Sequence, residues 1–403
     1  MTQVAWLIPH LIHGSGGHRT MLQHAYALQQ SGYNCCIYIE GSGTQAQAAG
    51  IVEKLFGFRF QNVSFGWENI QPADLAIATI WYSAAVVRDL PFPCKRAYLV
   101  QDYEAVFNPM GDGYLMAENS YRYGLIPITV GRWLKHVLGT RFGVPAYHLD
   151  FGADAAIYRP DPNIRRENAI CFIYQPDKPR RCSRIGIDAL GIVKHRLPEV
   201  TIYLYGSPQG EAGHVWFPHT HLGLLSLTDC NALYSRCAVG LCLSSSNPSR
   251  IPFEMMSAGL PVVELWRENT LYDFPQAAVR LADPTPESLA TALLGLLADP
   301  DRRSNMTRAG TDFMATKPLS LESEQFVRAV DEILHGTVAS VERMEPMYNS
   351  PAIVADEYTH SVPSRLNRQM GHSVRGRLDS LPLPARTVLR WGARKLRRYL
   401  SER

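Results

Sequence analysis

Long apolar runs are missing from this chain of 403 residues. None approaches the roughly 18 consecutive apolar residues that cross a bilayer, so no membrane-spanning helix is expected. The first residues, Met1–Pro9, also lack the basic start and small-residue cleavage site of a secretory leader, which points to a cytoplasmic chain. Paired cysteines are missing too. The eight cysteines (Cys35, Cys36, Cys94, Cys171, Cys182, Cys230, Cys237 and Cys242) form no C-x-x-C pair and mostly lie in apolar runs, as reduced packing residues do. Structural zinc is therefore not expected. An extreme of charge is absent as well, the formal net charge being +3. That balance hides one uneven region, Ser364–Arg403, where Arg365, Arg368, Arg390, Arg394, Lys395, Arg397, Arg398 and other bases face only Asp379 and Glu402. The rest of the chain is mildly acidic.

What is present is concentrated in Leu241–Leu265, LCLSSSNPSRIPFEMMSAGLPVVEL. Leu241–Leu243 reads as a buried strand, and Ser244–Ser249 cannot continue a sheet and favours caps. Ser249 is the expected helix cap, with Pro252 in the first turn, where its missing N–H is no loss. Gly259 is placed to stop that helix, Pro261 to prevent its continuation, and Val262–Val263 to begin another strand. Loop amides and a helix N-terminus can hold an anion. Glu254, one turn into the helix, offers a carboxylate that accepts hydrogen bonds from hydroxyls. Anion plus hydroxyls describes a nucleotide sugar, although a plain strand–loop–helix–strand with an exposed Glu fits the same residues.

The chain begins with a strand at Val4–Ile8 and a loop, His10–His18, rich in glycine and histidine. A helix over Arg19–Gln30 follows, with Leu22, Ala25, Tyr26 and Leu28 on its apolar side, and then a strand over Cys35–Ile39. Glu40 after that strand, with the glycines of Gly14–Gly17, meets part of a dinucleotide fingerprint, but the last glycine of that pattern is absent. Further strands are expected at Leu75–Thr79 and Ala97–Val100, the latter running into Gln101–Asp102–Tyr103–Glu104. Such a polar cluster at the carboxyl end of a parallel strand sits where α/β sheets present ligand groups. Asp102 and Glu104 can be read as acceptor-orienting carboxylates, as oxygen ligands to Mg or Mn, or as loop hydrogen-bonding residues.

The second half opens with a strand at Ala169–Tyr174, then a basic turn containing Arg180 and Arg181 before a helix over Ile185–Leu197. Two guanidinium groups beside a helix N-terminus suit a diphosphate, though a solvated basic turn would look the same. Thr201–Tyr205 forms a strand ending at Gly206, and Leu224–Leu225–Ser226 leads to a helix around Asp229–Arg236.

Glu254–Val263 resembles the second half of the donor-site signature of family 4 glycosyltransferases, and where that signature has an earlier Glu this chain has Ser246. Val100–Phe107, Tyr114–Tyr121, Ile128–Leu134, Phe151–Asp154 and Tyr158–Arg159–Pro160 are similar to segments of bacterial rhamnosyltransferases of the WsaF type. The resemblance covers roughly residues 1–335. It implies an α/β chain with two Rossmann-like domains facing a central cleft, the GT-B type, plus a basic C-terminal helical extension. The resulting expectation is an acceptor-binding domain at 1–155, a nucleotide-sugar-binding domain at 156–335, a linker or irregular segment at 336–380 and a basic amphipathic helix at 381–403.

On this reading the enzyme moves L-rhamnose from dTDP-β-L-rhamnose to a surface-polysaccharide or glycan acceptor. The resemblance further implies retention of configuration, and fixed positive charge on the diphosphate does what a metal does elsewhere, so neither cofactor nor metal is expected. Catalytic candidates are Asp102, Glu104 and Glu254. Donor-binding candidates are Gly16, Gly17, Arg180, Arg181, Gly206, Leu225, Ser249, Arg250 and Glu254. Acceptor-binding candidates are His13, His18, Gln101, Asp102, Tyr103 and Glu104. The helix over Ala385–Leu400 is expected to meet an anionic inner-membrane surface and a lipid-linked acceptor, and no nucleic acid is expected as partner. The alternatives are a nucleotide-sugar-modifying or NAD-dependent enzyme on a similar fold, and a catalytically weak glycan-binding scaffold.

Overall fold

The computed structural model describes residues 1–208, 215–337 and 339–356. Met1–Val354 form one compact unit, and the basic helix expected at 381–403 lies outside the described residues. No helix among the described residues is long and apolar enough to cross a membrane.

In chain order the first half runs β1 (Gln3–Ile8), α1 (Gly16–Gln30), β2 (Asn34–Ile39), α2 (Gln45–Phe56), β3 (Asn62–Phe65), β4 (Leu75–Ala78), α3 (Trp81–Arg88), β5 (Lys95–Val100), α4 (Asp112–Ser120), β6 (Ile126–Val130), α5 (Arg132–Phe142) and β7 (Tyr147–Leu149). The second runs β8 (Ala169–Ile173), α6 (Ser183–Arg196), β9 (Thr201–Tyr205), β10 (Thr220–His221), α7 (Leu227–Arg236), β11 (Val239–Leu241), α8 (Ile251–Ser257), β12 (Val262–Leu265), α9 (Glu268–Leu271) and β13 (Val279–Ala282). Among the described residues three helices follow, α10 (Pro286–Ala298), α11 (Pro300–Ala315) and α12 (Leu319–Leu334).

The strands form two sheets, ordered β3-β2-β1-β4-β5-β6-β7 and β10-β9-β8-β11-β12-β13. Every pairing is parallel, from Val4 against Cys35 and Leu75 in the first sheet to Val239 against Ile170 in the second. Parallel strands covered on both faces must be apolar throughout, and β4 (LAIA) and β8 (AICFI) are buried at every position. In each sheet the strand order reverses beside its first strand, between β1 and β4 and between β8 and β11. Ligand loops collect at the carboxyl ends of strands flanking such a reversal.

Helix α1 starts three residues before the expected Arg19, because Ser15 caps it by accepting the His18 amide. Leu22, Ala25 and Leu28 are buried as expected, whereas Tyr26 is exposed and lies against Phe58. Strand β11 ends at Leu241, and Cys242 and Leu243 are buried beyond it.

The boundary expected at 155/156 falls between the two sheets, but the second segment does not stay with its own sheet. Helix α12 returns to the first lobe, where Phe326 packs on Trp6 and stacks on His24 with ring centroids 5.5 and 4.6 Å apart. Residues 339–354, within the span expected as a linker or irregular segment, have no helix or strand and pack on both lobes. Met344 and Tyr348 are buried, Lys135 pairs with Glu342 at 2.8 Å, and Ile353 donates its amide to the Leu281 carbonyl. Between the lobes, Phe151 stacks on Phe253 at 4.4 Å.

Candidate functional site

The loop after β1 turns at Gly14 (φ 72°) and presents the first amides of α1 at Gly16 and Gly17, both exposed. A Cβ on Gly17 would lie 3.8 Å from Gln101 Oε1, so this helix end and the end of β5 share one face. His13 is exposed at the turn. His18 is not available there. It is buried beside the Phe56 ring, and burial holds its imidazole below the ordinary range, which corrects its expected place in the acceptor site. Glu40 accepts the His10 amide and the Tyr82 hydroxyl on one oxygen, at 3.2 and 2.9 Å, so the carboxylate that the dinucleotide reading needs is already engaged.

The Gln101–Glu104 cluster divides. Glu104 is buried, accepting the Trp81 amide at the start of α3 and the Tyr98 hydroxyl, at 2.5 and 2.6 Å. Burial pushes its carboxyl up to about 8, against the pull of those donors. It caps a helix inside the lobe and is corrected from the acceptor and catalytic sets. Tyr103 is a core aromatic, stacked on Tyr121 with its hydroxyl on Glu118, and leaves the acceptor set likewise. Asp102 faces the other lobe. Its Oδ1 accepts the amides of Tyr103 and Asn247, both at 2.8 Å, and its Oδ2 accepts the Ser246 hydroxyl at 3.1 Å. Asp102 and Glu104 thus have separate partners, which corrects the reading of the two as a shared metal pair. Asn247 completes the crossing by donating Nδ2 to the carbonyls of Gln101 and Val130, at 2.9 and 2.8 Å.

In the second lobe, a single 3-10 turn over Pro179–Arg181 precedes α6, whose N-terminus has no side-chain cap and begins at Cys182 with φ 48°. Arg180 lies 4.5 Å over the Phe107 ring with Nε 3.4 Å from Asp102 Oδ2, while Arg181 donates to the Ser244 hydroxyl. Ser245 donates its amide to the Arg180 carbonyl at 2.9 Å, and Asn269 donates to the Ser244 and Ser246 carbonyls. Glu264, at the end of β12, accepts the amides of Ser244 and Leu265 at 2.8 Å on one oxygen. The loop after β11 is therefore tied to the basic turn, to β12 and to the first lobe.

Helix α8 has the expected Pro252 in its first turn and Gly259 in the left-handed region (φ 75°) just past its end. The expected cap, Ser249, is corrected: Arg250 holds the N-cap position without a side-chain cap, and the Ser249 hydroxyl one residue earlier lies 3.4 Å from the Ile251 amide. Glu254 faces Tyr158 and Arg19. Burial pushes its carboxyl up to about 7, while Arg250, the Tyr158 hydroxyl and Arg19 pull it down. Neither Arg19, in the first turn of α1, nor Tyr158, in the segment between the sheets, was among the sequence candidates. An arginine two residues after the glycine pair is the available signal for the first. Arg250 does not point to a ligand. It makes a bidentate pair with buried Glu322 of α12 at 2.5 and 2.7 Å and donates to the Gly152 carbonyl at 2.7 Å, a correction to its donor-binding assignment. Gly206 has φ 95°, and a Cβ there would lie 2.3 Å from Ile173, so glycine is required by packing whatever its part in a site. Leu225 is half-buried against the core.

Two parallel Rossmann-like sheets with loops meeting at their carboxyl ends define a GT-B fold. HepE of Anabaena, solved with UDP, superposes with TM-score 0.65 over 83% of this chain and 99% of its own at 14% identity. TarM of S. aureus, solved with Fondaparinux, alpha-GlcNAc-glycerol and UDP, gives 0.67 over 83% of this chain and 100% of its own at 7% identity. Sucrose-phosphate synthase of Thermosynechococcus elongatus gives 0.62 over 84% of this chain and 100% of its own at 13% identity. Residues 168–294 match the family model of the WsaF C-terminal domain, so that segment of this GT-B fold is similar to that domain. It is 33% identical over 227 residues, 55% of its length, to the O-antigen biosynthesis protein RfbC of Myxococcus xanthus, of whose length the match covers 18%.

Proposed function

We propose that this chain is a glycosyltransferase that moves a sugar from a nucleoside diphosphate onto a surface-polysaccharide acceptor. The observation that carries the reading is the cationic turn at the uncapped start of α6, with Arg180 and Arg181 on it, in a fold whose Glu254 stands on α8. Fixed guanidinium groups and helix amides aimed at a diphosphate stabilise the charge that develops as it leaves. Glu254, held by Tyr158, is suited to accept hydroxyl hydrogen bonds, and Gly16 and Gly17 let the end of α1 come close to the donor. Support comes from HepE and TarM, both solved with UDP, and from RfbC, described by its part in O-antigen biosynthesis.

The finer reading is L-rhamnose from dTDP-β-L-rhamnose, transferred with retention and without a metal, by a cytoplasmic enzyme held at the inner membrane through its basic C-terminal segment. Calorimetric titration with dTDP, UDP, GDP and NAD, with and without Mg, tests it. Binding of dTDP in preference to the others, unchanged by Mg and weakened in Glu254→Ala and Arg181→Ala, is the expected result. NAD binding alone would replace the transferase with the NAD-dependent reading, and binding of none would favour the scaffold.

A further inference from the structure

Asp102 has no idle oxygen. Oδ1 is shared by two amides, and Oδ2 lies between the Ser246 hydroxyl and the Arg180 guanidinium. Arg180 in turn sits between that carboxylate and the Phe107 ring, its Nε buried and 3.4 Å from Oδ2 without a hydrogen-bond geometry to any acceptor. Lys178, Arg180 and Arg181 crowd one turn, and the charged carboxylates at hand are Asp102 and Asp177. Glu104 and Glu264 also face these arginines, but their oxygens accept amides of their own lobes, and burial pushes both carboxyls up. The turn therefore gathers three cations, with an orphaned donor and one carboxylate supplied by the opposite lobe.

We infer that Asp102 is a stand-in anion: it occupies Arg180 and, through Ser246 and Asn247, draws the loop after β11 across the cleft until a nucleoside diphosphate takes Arg180 from it. Asp102 is then a positioning residue that sets donor affinity, and the acceptor meets other groups. This rests on the donor reading of Arg180. A ligand that must displace an intramolecular partner binds with an affinity reduced by the fraction of protein in which that partner is engaged. Asp102→Asn keeps the shape and removes the competing charge.

Calorimetry with dTDP, and UDP in parallel, on the full chain reads the effect. Asp102→Asn should bind the diphosphate about 10-fold more tightly than wild type if the pair is engaged in about nine molecules of ten. Ser246→Ala, which leaves Arg180 as the remaining cross-lobe partner of Oδ2, should move the other way, to roughly 3-fold weaker binding. Thymidine, which carries no phosphate, should bind the Asp102→Asn variant as it binds wild type, whereas general loosening of the lobes would change it. Arg180→Ala should weaken dTDP by about 10-fold or more. If Asp102→Asn binds dTDP no better than wild type while Arg180→Ala weakens it, the stand-in role is wrong and the donor site remains. If Arg180→Ala binds dTDP normally, both readings fall. Should Asp102→Asn not fold, the direction of the Ser246→Ala change decides, and unaltered or tighter binding in that variant would overturn the inference.

Discussion

Glu322→Gln removes one charge and almost no volume at the place where α12, α1 and the approach to α8 meet. Glu322 is fully buried, and its oxygens take two hydrogen bonds from Arg250 at 2.5 and 2.7 Å and one from the Gly152 amide at 3.0 Å, with His24 Nε2 at 3.2 Å. Burial works against the charged form, but Arg250 prevails and takes the carboxyl from its ordinary 4.5 to about 2. At about 1.4 kcal/mol for each pH unit, that depression corresponds to about 3 kcal/mol of folding stability. The independent expectation for breaking a buried ion pair and leaving one charge unmatched is about 3–5 kcal/mol. The two agree on a loss of about 3 kcal/mol at neutral pH, measurable by urea unfolding followed through tryptophan fluorescence. The folded value lies below the unfolded one, so the contribution is complete above about 4.5 and is lost as pH falls through about 2. The gap between wild type and variant should therefore close on acidification. A neutral-pH loss under about 1 kcal/mol, or a gap that acid leaves unchanged, would refute the reasoning.

Two other substitutions separate folding from ligand contact. Gly17→Ala meets nothing nearer than 3.8 Å and lies in a helix, so it should raise stability by up to about 1 kcal/mol while weakening dTDP binding; unchanged affinity would remove Gly17 from the donor site. Asp273 of the second lobe accepts the Arg132 and Trp133 amides at 2.8 and 3.2 Å, capping α5 of the first. Asp273→Ala should cost about 1–2 kcal/mol and speed hydrogen exchange at those two amides, and full protection there would show that the cap carries no weight.

The alternation of strands and helices is legible in the sequence where a parallel strand is an apolar run, as in β4 and β8, and where Gly, Ser or Pro punctuates the turns. Strand β9 spans the expected Thr201–Tyr205, and α8 has its Pro and Gly at the expected ends. The roles of charged residues were not legible. Asp102 and Glu104 stand two apart in one polar cluster, yet one crosses to Asn247 in the other lobe and the other turns inward to Trp81. Arg250 looks like a ligand group until Glu322, on a helix beyond the second sheet, is brought beside it. Hydrophobic period and turn chemistry act over a few residues, whereas the partner of a buried charge is chosen by the tertiary fold.

The return of α12 to the first lobe has a consequence for how the chain is made. Trp6 and His24 receive their cover from Phe326, which leaves the ribosome roughly 300 residues later. At roughly 5–20 residues per second, the inner face of the first lobe waits on the order of 15 to 60 seconds for its last helix. A first lobe expressed without α12 would expose that face permanently, so dissecting the chain at the sheet boundary should yield an aggregating fragment, and the two lobes are best regarded as one unit of synthesis.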